Sequence, residues 1–311
     1  MIAVSIQIFI ALFTAFSLFY TSSSLGHGLS QTTKYINILM GLFVAFGVAK
    51  MVFISIIFLE DVTRLISYVV SYFTSSDSVD FSSRRKAVTN IGLGLAAVPF
   101  SAFIYGMFKT RYDFKVFRNT LEIDKLPKAF EGLRIVQISD FHAGSLDNMK
   151  AIKLGLEKIQ NLEPDLLLFT GDLVNNTSEE FDKFIPYFKS LTARIGKFSI
   201  MGNHDYGLYY NWGSEEEKKA NEQRIRNHHK SIGFDLLENQ SRRIEKNGEI
   251  LNLIGVENWG RPPFPPKGDL DLAITDIKQD SVTILMSHDP HHWEDKVIPH
   301  SQKVDLTLSG H

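Results

Sequence analysis

Five short clusters in this 311-residue sequence combine hard oxygen donors with imidazoles: Asp140-Phe141-His142, Gly171-Asp172, Gly202-Asn203-His204-Asp205, Ser287-His288 and Ser309-Gly310-His311. Carboxylate and carboxamide oxygens and imidazole nitrogens are the donors that divalent transition cations accept, so the chemistry these residues suit is metal-assisted. The sequence has no cysteine, which excludes a thiolate zinc site, a cysteine nucleophile and a disulfide framework, and leaves a metal only His, Asp and Asn. A glycosidase-like carboxylate pair fits less well, because these acids arrive with histidines and an asparagine. A net charge of −2 with no clustered basic face excludes nucleic acid as a binding partner.

Each cluster needs an element that delivers it, and each follows an apolar, strand-like run: 133–138, 165–169, 198–201, 282–286 and 304–308. Helical patterns separate the strands. One covers 148–161 and closes at Glu163-Pro164, a second covers 178–191 with Pro186 absorbed as a kink, and a third runs from Glu215 to about His229 behind the capping pair Ser214 and Glu217. Strand and helix alternation predicts α/β layers, in which ligands collect beyond the carboxyl ends of the strands, where all five clusters fall. The aromatic, glycine-containing loop 206–212 is a candidate substrate contact or a packed surface loop, and Pro262 to Pro266 is a stiff loop after the strand 251–256.

Residues 1–110 have a different character. Uncharged 2–20, 36–59 interrupted only by Lys50, and 91–108 are long enough to cross a bilayer, whereas 62–73, short and carrying Arg64, reads as an interfacial helix or a fourth span. A removable leader is the weaker reading of 2–20, which has no basic region before it. With Arg84-Arg85-Lys86 inside, three spans put the following domain outside, and four would put it in the cytoplasm. Ser83 to Lys86 also resembles a twin-arginine signal, with plain anchoring of a helix end as the alternative.

The ordered set Asp140-x-His142, Gly171-Asp172, Gly202-Asn203-His204-Asp205, His288 and Gly310-His311 resembles the calcineurin-like metallophosphoesterases over residues 130–311, and more narrowly their membrane-anchored bacterial branch. The resemblance implies a four-layer αββα sandwich, joined through a linker at 111–129 to an all-α transmembrane region. It implies two divalent cations, Mn, Fe or Zn. Asp140, His142 and Asp172 would hold the first, and Asp172, Asn203, His288 and His311 the second, with Asp172 as the bridge. A metal-activated hydroxide would attack a phosphomonoester or phosphodiester, which membrane anchoring suggests is a lipid or envelope phosphate. His204 would contact the phosphate and protonate the leaving oxygen, with Asp205 orienting its imidazole. The implied location is the bacterial inner membrane with the hydrolase domain on the outer face.

Two departures accompany the match. The family's final motif is Gly-His-x-His and this sequence reaches its first histidine, so the resemblance implies a domain incomplete at its C-terminus and a first metal with three protein ligands. Asn175 stands where relatives often have Asp. The pairs His228-His229 and His291-His292 have no matching motif partner. A non-catalytic metal-binding interaction domain of the same fold is the competing expectation, and intact Asn203, His204 and Asp205 speak against it. A transporter with a regulatory domain is weakened by Lys50 being the one clear intramembrane charge.

Overall fold

A computed structural model describes residues 30–74, 82–262 and 264–311. The chain divides into two compact units, Met1–Lys115 and Val116–His311. The expected span 2–20 lies outside the described residues.

In the first unit, helix α1 runs without a break over Ser30–Thr74 and helix α2 over Ser82–Phe108. The stretches 36–59 and 62–73 therefore lie on one helix. The charged residues between them do not break it, because Arg64 pairs with Glu60 at 3.8 Å and Asp61 at 4.0 Å, one helical turn away. These charges share the helix with Lys50, and Glu60 is buried. At about 1.5 Å per residue the 45 residues of α1 reach about 68 Å, more than twice the hydrocarbon core of a bilayer, so only part of the helix can lie within it. Both helices are long and apolar enough to cross a membrane. They meet through the rings of Phe46 and Phe100, 4.9 Å apart, while Phe58, Tyr72 and Phe73 stay exposed.

The second unit is built on two four-stranded sheets. Strands β1 (Ile135–Ile138), β2 (Leu166–Phe169), β3 (Gly196–Ser199) and β4 (Asp235–Leu236) lie parallel in that order. The main connections are helices α3 (Met149–Gln160), α4 (Ile185–Lys189) and α5 (Glu215–Ser231). β2 is apolar throughout because both its faces are covered, as in parallel sheets generally. Strands β5 (Gln240–Lys246) and β6 (Glu249–Gly255) form an antiparallel hairpin, with Asn247 and Gly248 at φ 53° and 80° in its turn. β7 (Thr283–Met286) and β8 (Leu306–Leu308) continue that sheet in parallel.

The sheets face each other. Leu166, Leu168 and Ile200 from the first share one buried cluster with Leu251, Leu253, Ile284 and Met286 from the second. The opposite face of the second sheet, through Ile254 and Leu285, packs on helix α6 (Leu270–Ala273) and Val297. Phe169 points away from the intersheet core to the rings of His229 and Phe234 beside α5, at 6.0 and 6.4 Å. Helix, sheet, sheet and helix thus form the four expected layers.

Side-chain caps fix the start of two of the connecting helices. Asn148 accepts the Ala151 N–H at 3.1 Å at the start of α3, and Ser214 accepts the Glu217 N–H at 3.2 Å at the start of α5. The stretch 178–191 differs from a kinked helix: it runs as 3-10 turns over Ser178–Phe184 and becomes α4 only at Ile185, with Pro186 in the first turn, where its missing N–H costs nothing. Much of 111–129 also belongs to the domain. Ile123, Leu126 and Ala129 pack on the intersheet core, and the Ala129 N–H donates to Glu249 Oε2 at 2.6 Å.

Candidate metal centre

The bends after the strands turn the five clusters inward. Asp140, His142 and Asp172 adopt φ of 53°, 45° and 59°, a left-handed geometry that costs non-glycine residues energy and persists where surroundings enforce it. Enforcement comes from backbone bonds between the first two strand ends: Asp140 N–H to Gly171 O at 3.0 Å and His142 N–H to Asp172 O at 3.1 Å. Gly171, at φ 102°, has no room for a side chain, since a Cβ would stand 2.6 Å from Gly202 N and 2.7 Å from His288 Nδ1. Gln137 joins the two sheets beneath the centre, donating to Thr170 Oγ1 at 2.9 Å and Ser309 O at 2.7 Å.

Asp172 lies at the middle. Its Oδ2 is 3.5 Å from His142 Nε2 and 3.3 Å from His288 Nε2, while Oδ1 accepts the His204 N–H at 2.9 Å. Donor atoms of Asp140, Asp172 and His288 form one group that could hold a cation, and those of His142, Asp172 and His204 form another. Asp172 belongs to both. The grouping departs from the implied one by placing Asp140 with His288 and His204 with His142. Asn203 joins through Oδ1, 2.9 Å from His288 Nε2. The His311 imidazole enters neither group: its ring lies 5.5 Å from that of His288, and its backbone N–H donates to Asp140 Oδ2 at 3.0 Å.

Two backbone carbonyls set the tautomers. Thr170 O lies 2.8 Å from His288 Nδ1 and Asn175 O 2.7 Å from His204 Nδ1. A carbonyl only accepts, so both Nδ1 atoms carry the proton and both Nε2 atoms face the centre. This corrects the expected role of Asp205. Its buried carboxylate accepts backbone N–H groups of Asp172 at 3.0 Å, Leu173 at 2.8 Å, Val174 at 3.2 Å and Gly202 at 2.9 Å, tying two motif loops together, and the imidazole of His204 is oriented by Asn175. Burial and the nearby Asp172 charge push the Asp205 carboxyl up, against the pull of those N–H groups.

The donor set fits a cation. Oδ2 of Asp172, Oδ1 of Asn203 and Nε2 of His288 converge as the oxygen and imidazole donors that a divalent cation accepts. Burial disfavours a charged His288, but the Asp172 carboxylate outweighs burial and raises the imidazole above its ordinary range. Burial likewise pushes Asp172 up, but the His288 hydrogen bond holds its carboxyl low. Burial keeps His142 below the usual histidine range, so its imidazole is a neutral donor.

The aromatic loop borders this centre. Tyr209 stacks on His204 with ring centroids 4.4 Å apart and planes 30° apart, and its hydroxyl accepts from Asn203 Nδ2 at 2.7 Å. Tyr206, by contrast, is buried and bonds Glu257 Oε1 at 3.1 Å. The unmatched histidines have structural partners or none: His228 meets Ser178 O at 3.0 Å, His292 meets Ser287 Oγ at 3.0 Å, His291 meets Asp289 at 3.0 Å, and His229 is buried with neither ring nitrogen bonded. Sequence reasoning noted Asn175 only for its place where relatives often have Asp, and it missed the orienting role of the Thr170 and Asn175 carbonyls, which leave no side-chain signal.

Comparison with known proteins bears on both units. The family model described as "Calcineurin-like phosphoesterase" matches residues 133–311, and "Probable Calcineurin-like phosphoesterase, transmembrane domain" matches 1–111. An "Uncharacterized metallophosphoesterase" of Helicobacter pylori is 29% identical over 82% of this chain and 63% of its own length. The "UDP-2,3-diacylglucosamine pyrophosphatase LpxG" of Chlamydia trachomatis is 31% identical over 60% of this chain and 66% of that protein. A "Transmembrane protein with metallophosphoesterase domain" of Danio rerio is 24% identical over 67% of this chain and 46% of that one. The chain thus spans less than two thirds of the length of these relatives.

Proposed function

This chain belongs to the calcineurin-like phosphoesterase family and carries that family's transmembrane domain, and from this premise we propose that it is a membrane-anchored, metal-dependent phosphoester hydrolase. The observation that carries the reading is the gathering of Asp140, His142, Asn203 and His288 around the Asp172 carboxylate, from the ends of strands in two facing sheets. Asp140, His142, Asp172, Asn203 and His288 would hold two divalent cations, with Asp172 between them and His311 approaching from the last strand. Such a pair, when bound, neutralises phosphoryl oxygens and lowers the pKa of water.

The chain's own groups supply the rest. His204 presents Nε2 toward the centre, held by Asn175 behind and Tyr209 against its face; with a proton on both ring nitrogens it would give the Nε2 proton to the leaving oxygen and keep the Nδ1 proton on the Asn175 carbonyl. Asp205 keeps the Asp172 and Gly202 loops in register. A substrate with a lipid portion is supported by the anchored domain and by the likeness to a diacylglucosamine pyrophosphatase. An outer-face location is supported by Arg84-Arg85-Lys86 preceding the last apolar helix. The test is hydrolysis of bis-p-nitrophenyl phosphate and p-nitrophenyl phosphate by the chain in chelator and after Mn²⁺ is added back. Turnover that needs Mn²⁺ and disappears in His204→Ala with metal retained is expected; equal turnover in chelator contradicts the reading.

A further inference from the structure

We propose that Tyr209 is a positioning residue of the metal centre, its hydroxyl holding the Asn203 carboxamide beside His288 and its ring holding His204. The inference rests on the metallophosphoesterase reading above. A carboxamide can turn either its oxygen or its NH₂ toward the same point, and only the oxygen has a lone pair for a cation. With Oδ1 at 2.9 Å from His288 Nε2, Nδ2 points the other way and donates to the Tyr209 hydroxyl at 2.7 Å. This bond fixes the position of the Asn203 side chain at the edge of the centre before any cation arrives.

Tyr209 is itself held in place. Its loop turns at Gly207, φ 59°, where Trp212 donates to the Gly207 carbonyl at 2.8 Å, and the buried hydroxyl of Tyr206 is anchored on Glu257. Its ring lies on His204, so one side chain contacts both residues of the Asn203-His204 pair. Half-exposed as it is, Tyr209 plays no part in the buried core, and its conservation of ring shape in Tyr209→Phe separates hydrogen bonding from packing.

The experiment uses the full chain in detergent, stripped with chelator and titrated with Mn²⁺ while free Mn²⁺ is counted by electron paramagnetic resonance. Tyr209→Phe should weaken one of the two sites by about ten- to a hundredfold, as loss of an outer partner of a ligand typically does, and leave the other site and the urea midpoint of the stripped chain unchanged. Tyr209→Ala should weaken the same site no further, yet lower kcat on bis-p-nitrophenyl phosphate below that of Tyr209→Phe by also freeing His204. Two unaltered sites in Tyr209→Phe would overturn the proposal, as would equal weakening of both sites together with a lowered midpoint, the mark of a packing role. A wild-type chain that binds no Mn²⁺ would instead overturn the metallophosphoesterase reading, and this inference with it.

Discussion

Asp205 and His229 are both fully enclosed ionisable residues, and their surroundings give them opposite tasks. Asp205 accepts four backbone N–H groups, so Asp205→Asn places an NH₂ against donors and leaves buried N–H groups unpaired at about 1–3 kcal/mol each. Urea unfolding of the metal-free chain should show a loss of about 3 kcal/mol or more, and an unchanged midpoint would refute the loop-tying role. His229 has no partner for either nitrogen, and burial lowers its pKa to about 3. The unfolded chain takes up a proton near the ordinary histidine value while the folded chain does not, so the stability tied to His229 is complete above about pH 6.5 and declines as pH falls toward 3. His229→Leu should flatten the dependence of the urea midpoint between pH 7 and 5 by close to one proton; an unaltered slope would mean that the ring is protonated in the fold. Sequence made the ligand types legible at this scale, but not the left-handed φ of Asp140, His142 and Asp172 or the carbonyls that orient His288 and His204.

Strands place the centre, and two substitutions test how. Leu168→Ala empties a fully buried position between the sheets and should cost about 2–5 kcal/mol with the metal ligands untouched, measured as a fall in urea midpoint. Gly171→Ala, directly at the end of β2, should instead abolish Mn²⁺ binding, because a methyl group there meets Gly202 N and His288 Nδ1; retained Mn²⁺ affinity would show that the strand ends can part. The strand ends were readable because apolar runs such as 166–169 stop abruptly at polar clusters. Other elements were not. Pro186 reads as a kink in a helix, yet the preceding residues take 3-10 turns and the proline starts a new helix. A short length and Arg64 make 62–73 read as an interfacial helix or a fourth span, whereas pairing of Arg64 with Glu60 and Asp61 within one turn lets α1 continue through it.

For the whole molecule, the proposed outer-face location rests on charge beside the last apolar helix, and a chain without cysteine allows a clean test. Lys246→Cys, exposed on the β5–β6 hairpin, should react with a membrane-impermeant maleimide in intact spheroplasts; labelling only after lysis would put the domain in the cytoplasm. The central claim is that two facing sheets deliver ligands for two cations about one carboxylate. Anomalous diffraction from crystals of the chain grown with Mn²⁺ tests it most directly. The account predicts two peaks flanking Asp172, bounded by Asp140, His142, Asn203 and His288. A single peak, or none at Asp172, would contradict it.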